Sequence, residues 1–242
     1  MSLELKHVTG GYSQIPVLKD ISFNVKDGEL VGLIGLNGAG KSTTINHIIG
    51  LLTPFSGTIK INGLKISEDS QKYKSQIAYV PESPILYPEL TLKEHLEMTM
   101  MAYRLDPVKT WPLAKKLLKR FRLADKLNWF PVDFSKGMKQ KVMIVCAFIT
   151  HAKLFVIDEP FLGLDPLAVH DLLALVQAKK QAGCSILMTT HVLGTAEKIC
   201  DRFVLIHSGK IRTEGTLAEL EQRYGGHSLS DVYLNLAKDA RQ

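Results

Sequence analysis

The apolar run Val31 to Ile34 leads straight into Gly35 to Thr43, GLNGAGKST, and no other stretch limits this chain so narrowly. A glycine-rich turn between a strand and a helix lets backbone N–H groups wrap a phosphate chain, with the favourable end of the helix dipole behind them. Gly35 to Ser42 fit the P-loop pattern G-x-x-x-x-G-K-[ST]. Gly35 and Gly40 permit close approach, and Leu36, Asn37, Gly38 and Ala39 form the loop between them. Lys41 is placed to meet the β- and γ-phosphates, the Ser42 hydroxyl to bind Mg²⁺, and Thr43 to add a donor further back. The motif predicts a strand, a loop and a helix within an α/β fold, and a nucleoside triphosphate as ligand.

At 242 residues the chain can bury one substantial core, which favours lobes within one domain over two independent domains. Its three cysteines, Cys146, Cys184 and Cys200, are odd in number and form no C-x-x-C pair. That argues against a disulfide framework or a zinc site and for buried thiols in a reducing cytoplasm. Met1 to Gly11 mixes charged and polar residues, unlike a signal peptide, and apolar runs such as Val142 to Ile149 are too short to span a bilayer. Any membrane role is therefore expected to come through a partner. The net charge of +6 suits polyphosphates, anionic lipid and nucleic acid alike and does not choose among them. Solvated basic faces account for it adequately.

Along the chain, Ile21 to Val25 and Leu30 to Ile34 flank the turn Asp27-Gly28, and Gly57 to Ile61 leads into Asn62-Gly63. These signals predict antiparallel strands around the P-loop. Thr91 with Glu94 forms a capping box before Leu92 to Tyr103, and Trp111 to Leu123 is amphipathic, so the chain from about 84 to 150 reads as a mostly helical insertion. Strands return at Leu154 to Ile157, Ser185 to Thr189 and Phe203 to His207, with Pro166 to Gln181 as a capped helix ahead of Gly183. After Gly225-Gly226 a short tail, 225–242, carries one weak amphipathic turn and a polar end. The expected domain thus covers 1–224.

In Leu154 to Pro160, LFVIDEP, an apolar strand delivers two adjacent carboxylates at its C-terminal end, where parallel sheets bind their ligands. Asp158 is placed to hold Mg²⁺ through water, and Glu159 to take a proton from an attacking water. Phe134 to Val142, FSKGMKQKV, opens an apparent helix with a hydroxyl and a glycine, which is an anion site in company with the other motifs and an ordinary helix start without them.

Taken together, GLNGAGKST, FSKGM, LFVIDEP, Gly163-Leu164-Asp165-Pro166 and Thr190-His191 follow one another in the order of the ATP-binding subunit of ABC transporters, and the chain resembles that family over nearly its whole length. The resemblance implies an ABC-type ATPase with a RecA-like core, an antiparallel β subdomain and a helical insertion. It implies ATP and Mg²⁺ as cofactors and a second ATPase copy, bound head to tail, whose nucleotide Ser135 and Gly137 would touch. It assigns Tyr12 to adenine stacking, although a tyrosine beside Gly10-Gly11 also serves as surface packing. His191 matches the switch histidine, and Asp165 the loop that crosses to the partner copy, while Asp-Pro is equally a good helix N-cap pair.

Two positions depart from the family pattern. Glu82, after Tyr79-Val80-Pro81, stands where glutamine is usual, keeping an oxygen for Mg²⁺ but adding a charge near Glu159. Lys136 replaces the first glycine of the signature, which is cheap only if the position is helical or extended. Ser83 to Tyr103 mixes aromatics and methionines, and Met98, Met100 and Met101 serve either as lobe core or as a groove for a helix of the membrane subunit. PESPILYPELT, FSKGMKQKVM and FLGLDP resemble, more narrowly, the ATPases of bacterial Ecs-type transporters. The expectation is a cytoplasmic ATPase, peripheral on the inner face of the membrane, that dimerises on ATP and drives a separate polytopic permease, with export favoured and no nucleic acid as partner. The competing expectation is an ABC-type ATPase acting on a ribosome, nucleic acid or assembly scaffold.

Overall fold

The computed structural model describes residues 2–239. Two sheets organise it. The first is antiparallel: β1 (Leu3–Tyr12) lies between β2 (Ile15–Val25) and β4 (Ser56–Ile61). The second has six strands, β5 (Ile77–Val80), β6 (Leu154–Asp158), β7 (Ser185–Thr189), β3 (Leu30–Ile34), β8 (Arg202–His207) and β9 (Lys210–Gly215), in that spatial order. All its pairings are parallel except β8 with β9.

This corrects the hairpin expected at Asp27-Gly28. Strands β2 and β3 belong to different sheets, and the turn, with Gly28 at φ 69°, passes the chain from one to the other. The reason is burial: every residue of β3 is buried, whereas β2 alternates, and a strand covered on both faces belongs inside a parallel sheet. Alternation of side chains divides the core accordingly. Phe155 and Ile157 of β6 pack with the helical lobe, while Leu154 and Val156 pack toward the antiparallel sheet and α1 (Lys41–Ile48).

The lobe is built from α3 (Leu92–Ala102), α4 (Pro107–Arg120) and α5 (Lys136–Phe148). Both bonds of the Thr91–Glu94 capping box are present. Helix α4 starts ahead of the expected Trp111 because Asp106 caps it and Pro107 takes its first turn. Met100 is core, Met98 is half-buried and Met101 is exposed, so the methionines divide between the two expected uses. Short α2 (Ser70–Ser75), then α6 (Pro166–Gln181), α7 (Leu193–Ile199) and α8 (Leu217–Tyr224) complete the connections. Cys184 is buried, Cys146 and Cys200 are half-buried, and all three are free thiols; burial pushes the Cys146 thiol up to about 11.

The tail also differs from expectation. After Gly225 and Gly226, both at positive φ, the chain forms α9 (Leu229–Asp239) rather than a single turn. Leu229, Val232 and Leu236 are buried against Ile34, Phe203, Leu205 and Ala196. Residues 240–242 of the expected polar end lie outside the described residues.

Candidate functional site

The loop after β3 sits at the C-terminal edge of the parallel sheet and opens α1, whose first turn carries no acidic residue. The positive end of that helix is thus free to face phosphate. Gly40 caps α1 at φ 113°, a left-handed conformation costly for any residue with a Cβ. Gly35 has a packing reason as well: a Cβ there would collide with the carbonyl oxygen of Ile206, so glycine permits close packing on β8. Lys41 Nζ curls back over the loop and donates to the Gly35 carbonyl at 2.8 Å and to the Leu36 carbonyl at 3.3 Å.

Opposite the loop, β6 ends in Asp158 and Glu159 follows it, both buried. The Thr189 hydroxyl donates to Asp158 Oδ1 and accepts from the Glu159 backbone N–H at 3.1 Å, so the adjacent strand end fixes both positions. Burial holds the Asp158 carboxyl above the usual carboxylate range against the Thr189 hydrogen bond; Glu82 and Glu159 push it the same way and Lys41 opposes them. Glu159 adopts φ 43°, a strained geometry of about 1–3 kcal/mol for a non-glycine residue. In that conformation its Oε2 accepts from the His191 backbone N–H at 3.0 Å and from His191 Nδ1 at 2.8 Å. A carboxylate partner makes Nδ1 the protonated nitrogen and leaves Nε2 as the other ring atom able to accept.

These groups meet in one cleft of about 640 Å³. Asn37, Gly38, Gly40, Lys41, Ser42 and Thr43 line one side, Asp158, Glu159, Glu82 and His191 the other, and Tyr12 with Val17 the rim. The Tyr12 hydroxyl accepts from Asn46 Nδ2 at 3.2 Å and the ring is about half exposed, so its orientation is set from one edge only. Gly35 and Leu36 line a neighbouring depression with Asn37 and His191, and Ala39 is buried beneath the loop. Leu162 and Val17, which line the cleft as well, were given away by no sequence signal. Thr189, which holds both carboxylates, was read only as the end of a strand; a hydroxyl closing an apolar run beside Thr190-His191 is the signal that could have found it.

Ser135, Gly137 and Asp165 line neither depression. Ser135 caps α5, accepting from the Met138 N–H at 3.3 Å. Gly137 lies so close to Gly163 that a Cβ would strike its carbonyl oxygen. Asp165 caps α6 through the Ala168 N–H at 2.9 Å and also accepts from Lys141 Nζ at 2.6 Å, which together hold its carboxyl down to about 2. Lys136 begins α5 and is not at positive φ, so the lysine causes no backbone strain there. Gln140 of α5 donates to the Pro81 carbonyl at 2.9 Å, pinning the start of the Glu82 loop to the same helix.

A family model described as ABC transporter matches residues 18–162. This chain belongs to the ABC transporter family. It is 54% identical to the ABC-type transporter ATP-binding protein EcsA of Bacillus subtilis (strain 168), covering 98% of this chain and 97% of that relative. A solved ATP-binding subunit of an ABC transporter superposes with a TM-score of 0.95 at 51% identity, over 98% of this chain and 100% of that one. A dimeric ATP-binding cassette in a post-hydrolysis state, bound to ADP and Pi, matches with a TM-score of 0.79 at 27% identity, over 89% and 98%. As an ATP-binding subunit of this family, the protein binds ATP and hydrolyses it. No helix among the described residues is long and apolar enough to cross a membrane.

Proposed function

We propose that two copies of this ABC ATPase close head to tail on ATP and that opening and closing drives a separate polytopic permease from the cytoplasmic face of the membrane. One observation carries the reading. The cleft gathers the P-loop, Asp158, Glu159 and His191, while Ser135 and Gly137 sit outside it on the N-terminal turn of α5. A signature turn that cannot serve its own cleft is available to a second copy's nucleotide. The dimeric relative holding ADP and Pi supports the arrangement.

Within each cleft, the P-loop N–H groups and Lys41 bind the phosphates and Tyr12 stacks on adenine. The exposed Ser42 hydroxyl, the Asp158 carboxylate and Glu82 offer hard oxygen donors in one place, a set that fits Mg²⁺. Bound Mg²⁺ supplies charge neutralisation at the phosphates. Glu159 accepts a proton from the attacking water, and His191, held by Glu159, orients that water and contacts the γ-phosphate. Asp165, tied to the signature helix through Lys141, is assigned to the loop that crosses to the partner copy and couples the two sites. The exposed apolar side chains Ile85, Tyr87 and Met101, on and beside α3, are those we assign to contact with a cytoplasmic helix of the permease. Outward transport is the direction that family resemblance favours.

The test is a detergent pull-down from source-cell membranes with tagged Glu159→Gln in ATP. Trapped dimers that recover a stoichiometric polytopic membrane protein, released when Tyr87 and Met101 are replaced by charged residues, are the expected result. Recovery of ribosomal or other non-membrane partners alone would overturn the permease reading, and wild-type turnover by the variant would overturn the base assignment.

A further inference from the structure

The excess charge of this chain is concentrated in one place. Arg104 to Lys126 holds eight Lys and Arg against two Asp, a difference equal to the whole chain's +6, so the remainder is balanced. Part of that excess is neutralised internally: Arg120 pairs with Asp171 at 2.9 Å, Arg122 with Asp165 at 3.4 Å, and Lys126 with Asp125 at 2.8 Å. Lys109 is only loosely held by Asp106, at 3.8 Å. Among the described residues, Arg104, Lys115, Lys116 and Lys119 make no ion pair.

Helix α4 directs these side chains to one side. Thr110, Ala114, Leu117 and Leu118 are buried in the lobe, and on the 3.6-residue period the opposite arc carries Lys109, Lys115, Lys116 and Lys119 with no acidic residue. Among them is Val108, 83% exposed, and at the edge of the arc Leu113, 37% exposed. Exposed apolar side chains gain nothing on a phosphodiester backbone, whereas beside lysines they enter the boundary between headgroups and acyl chains. The charges are lysines, compact and flexible on long apolar stems, rather than the forked arginines suited to planar or bidentate recognition. Helix α4 also packs directly on α3, the helix we assign to the permease contact.

We infer that the exposed lysine arc of α4 is a second membrane contact, a docking surface for anionic phospholipid headgroups that acts alongside the permease. This rests on the permease reading only for the location of the ATPase at the membrane; lipid binding itself is measurable on the purified chain.

The experiment is co-sedimentation of the full chain, without permease, with vesicles of phosphatidylglycerol and phosphatidylcholine, and with phosphatidylcholine alone. Binding to the anionic vesicles only, lost at high salt, is expected. The triple variant Lys115→Glu, Lys116→Glu, Lys119→Glu should lose on the order of a hundredfold in affinity, at about fivefold per lysine, while its ATP hydrolysis in solution is unchanged. A control with the same net charge, Lys19→Glu, Lys72→Glu, Lys210→Glu, should stay within about threefold of wild type if the arc rather than global charge is read. Equal losses in both triples would overturn the proposal. So would a wild-type chain that ignores anionic vesicles yet is recovered with its permease, an outcome that leaves the permease reading standing.

Discussion

Asp158 and Glu159 show how much the site depends on holding charge where water would otherwise dissolve it. Burial already raises the Asp158 carboxyl, and Glu82 and Glu159 add like charge, so at neutral pH its ionised form destabilises the folded chain. Asp158→Asn should therefore raise the Tm of the nucleotide-free protein by about 2–4 °C, the size of ~1 kcal/mol in a chain this long, while abolishing hydrolysis. The sign fixes the pH dependence: for a raised carboxyl the penalty grows as pH climbs through the unfolded value toward the folded one. The stabilisation by Asn should then fade in thermal melts run below both values. Glu82 crowds the same carboxylates, and Glu82→Gln should lower the Asp158 carboxyl and shift the Mg²⁺ dependence of turnover. Unchanged turnover at every Mg²⁺ concentration would remove Glu82 from the metal site.

Each element that carries the site is held by another the chemistry does not use. Strand β3 delivers the P-loop, and Ile34 at its end is covered by α9 through Val232, Leu229 and Leu236. Val232→Asp places an unpaired carboxylate in that contact and should cost more than ~3 kcal/mol, read as a lower urea midpoint. If the midpoint stays put, α9 is not part of the cooperative unit. Helix α5 is fixed from two sides, by Gln140 to the Pro81 carbonyl and by Lys141 to Asp165. The Glu82 loop and the Asp165 loop therefore both reach the signature turn through one helix.

For the whole molecule, the proposed head-to-tail dimer would make the separation of Ser135 from its own cleft a reason for dimerisation to be part of catalysis. Ser135→Arg should leave ATP binding to the monomer within about threefold and remove the ATP-dependent dimer in sizing chromatography, with turnover down at least ~100-fold. A variant that hydrolyses normally as a monomer would refute the composite site. How much of this was legible beforehand differs by motif. GLNGAGKST, LFVIDEP and His191 specified the cleft because backbone conformation and strand-end carboxylates are local properties of a few adjacent residues. The Thr91–Glu94 capping box and the apolar β3, β6 and β7 were local in the same sense. The hairpin at Asp27-Gly28 was misread because a turn signal does not say which sheet each strand joins. The tail was misread because three leucine and valine side chains become a helix face only when Ile34, Phe203 and Leu205 are there to cover them. Sequence by itself determined the fold class and the phosphate chemistry, which reside in short contiguous segments. Only the tertiary structure decided that Gly35 answers to Ile206, that Glu159 and His191 form a pair, and that the signature turn lies outside its own cleft, because each joins residues far apart in the chain.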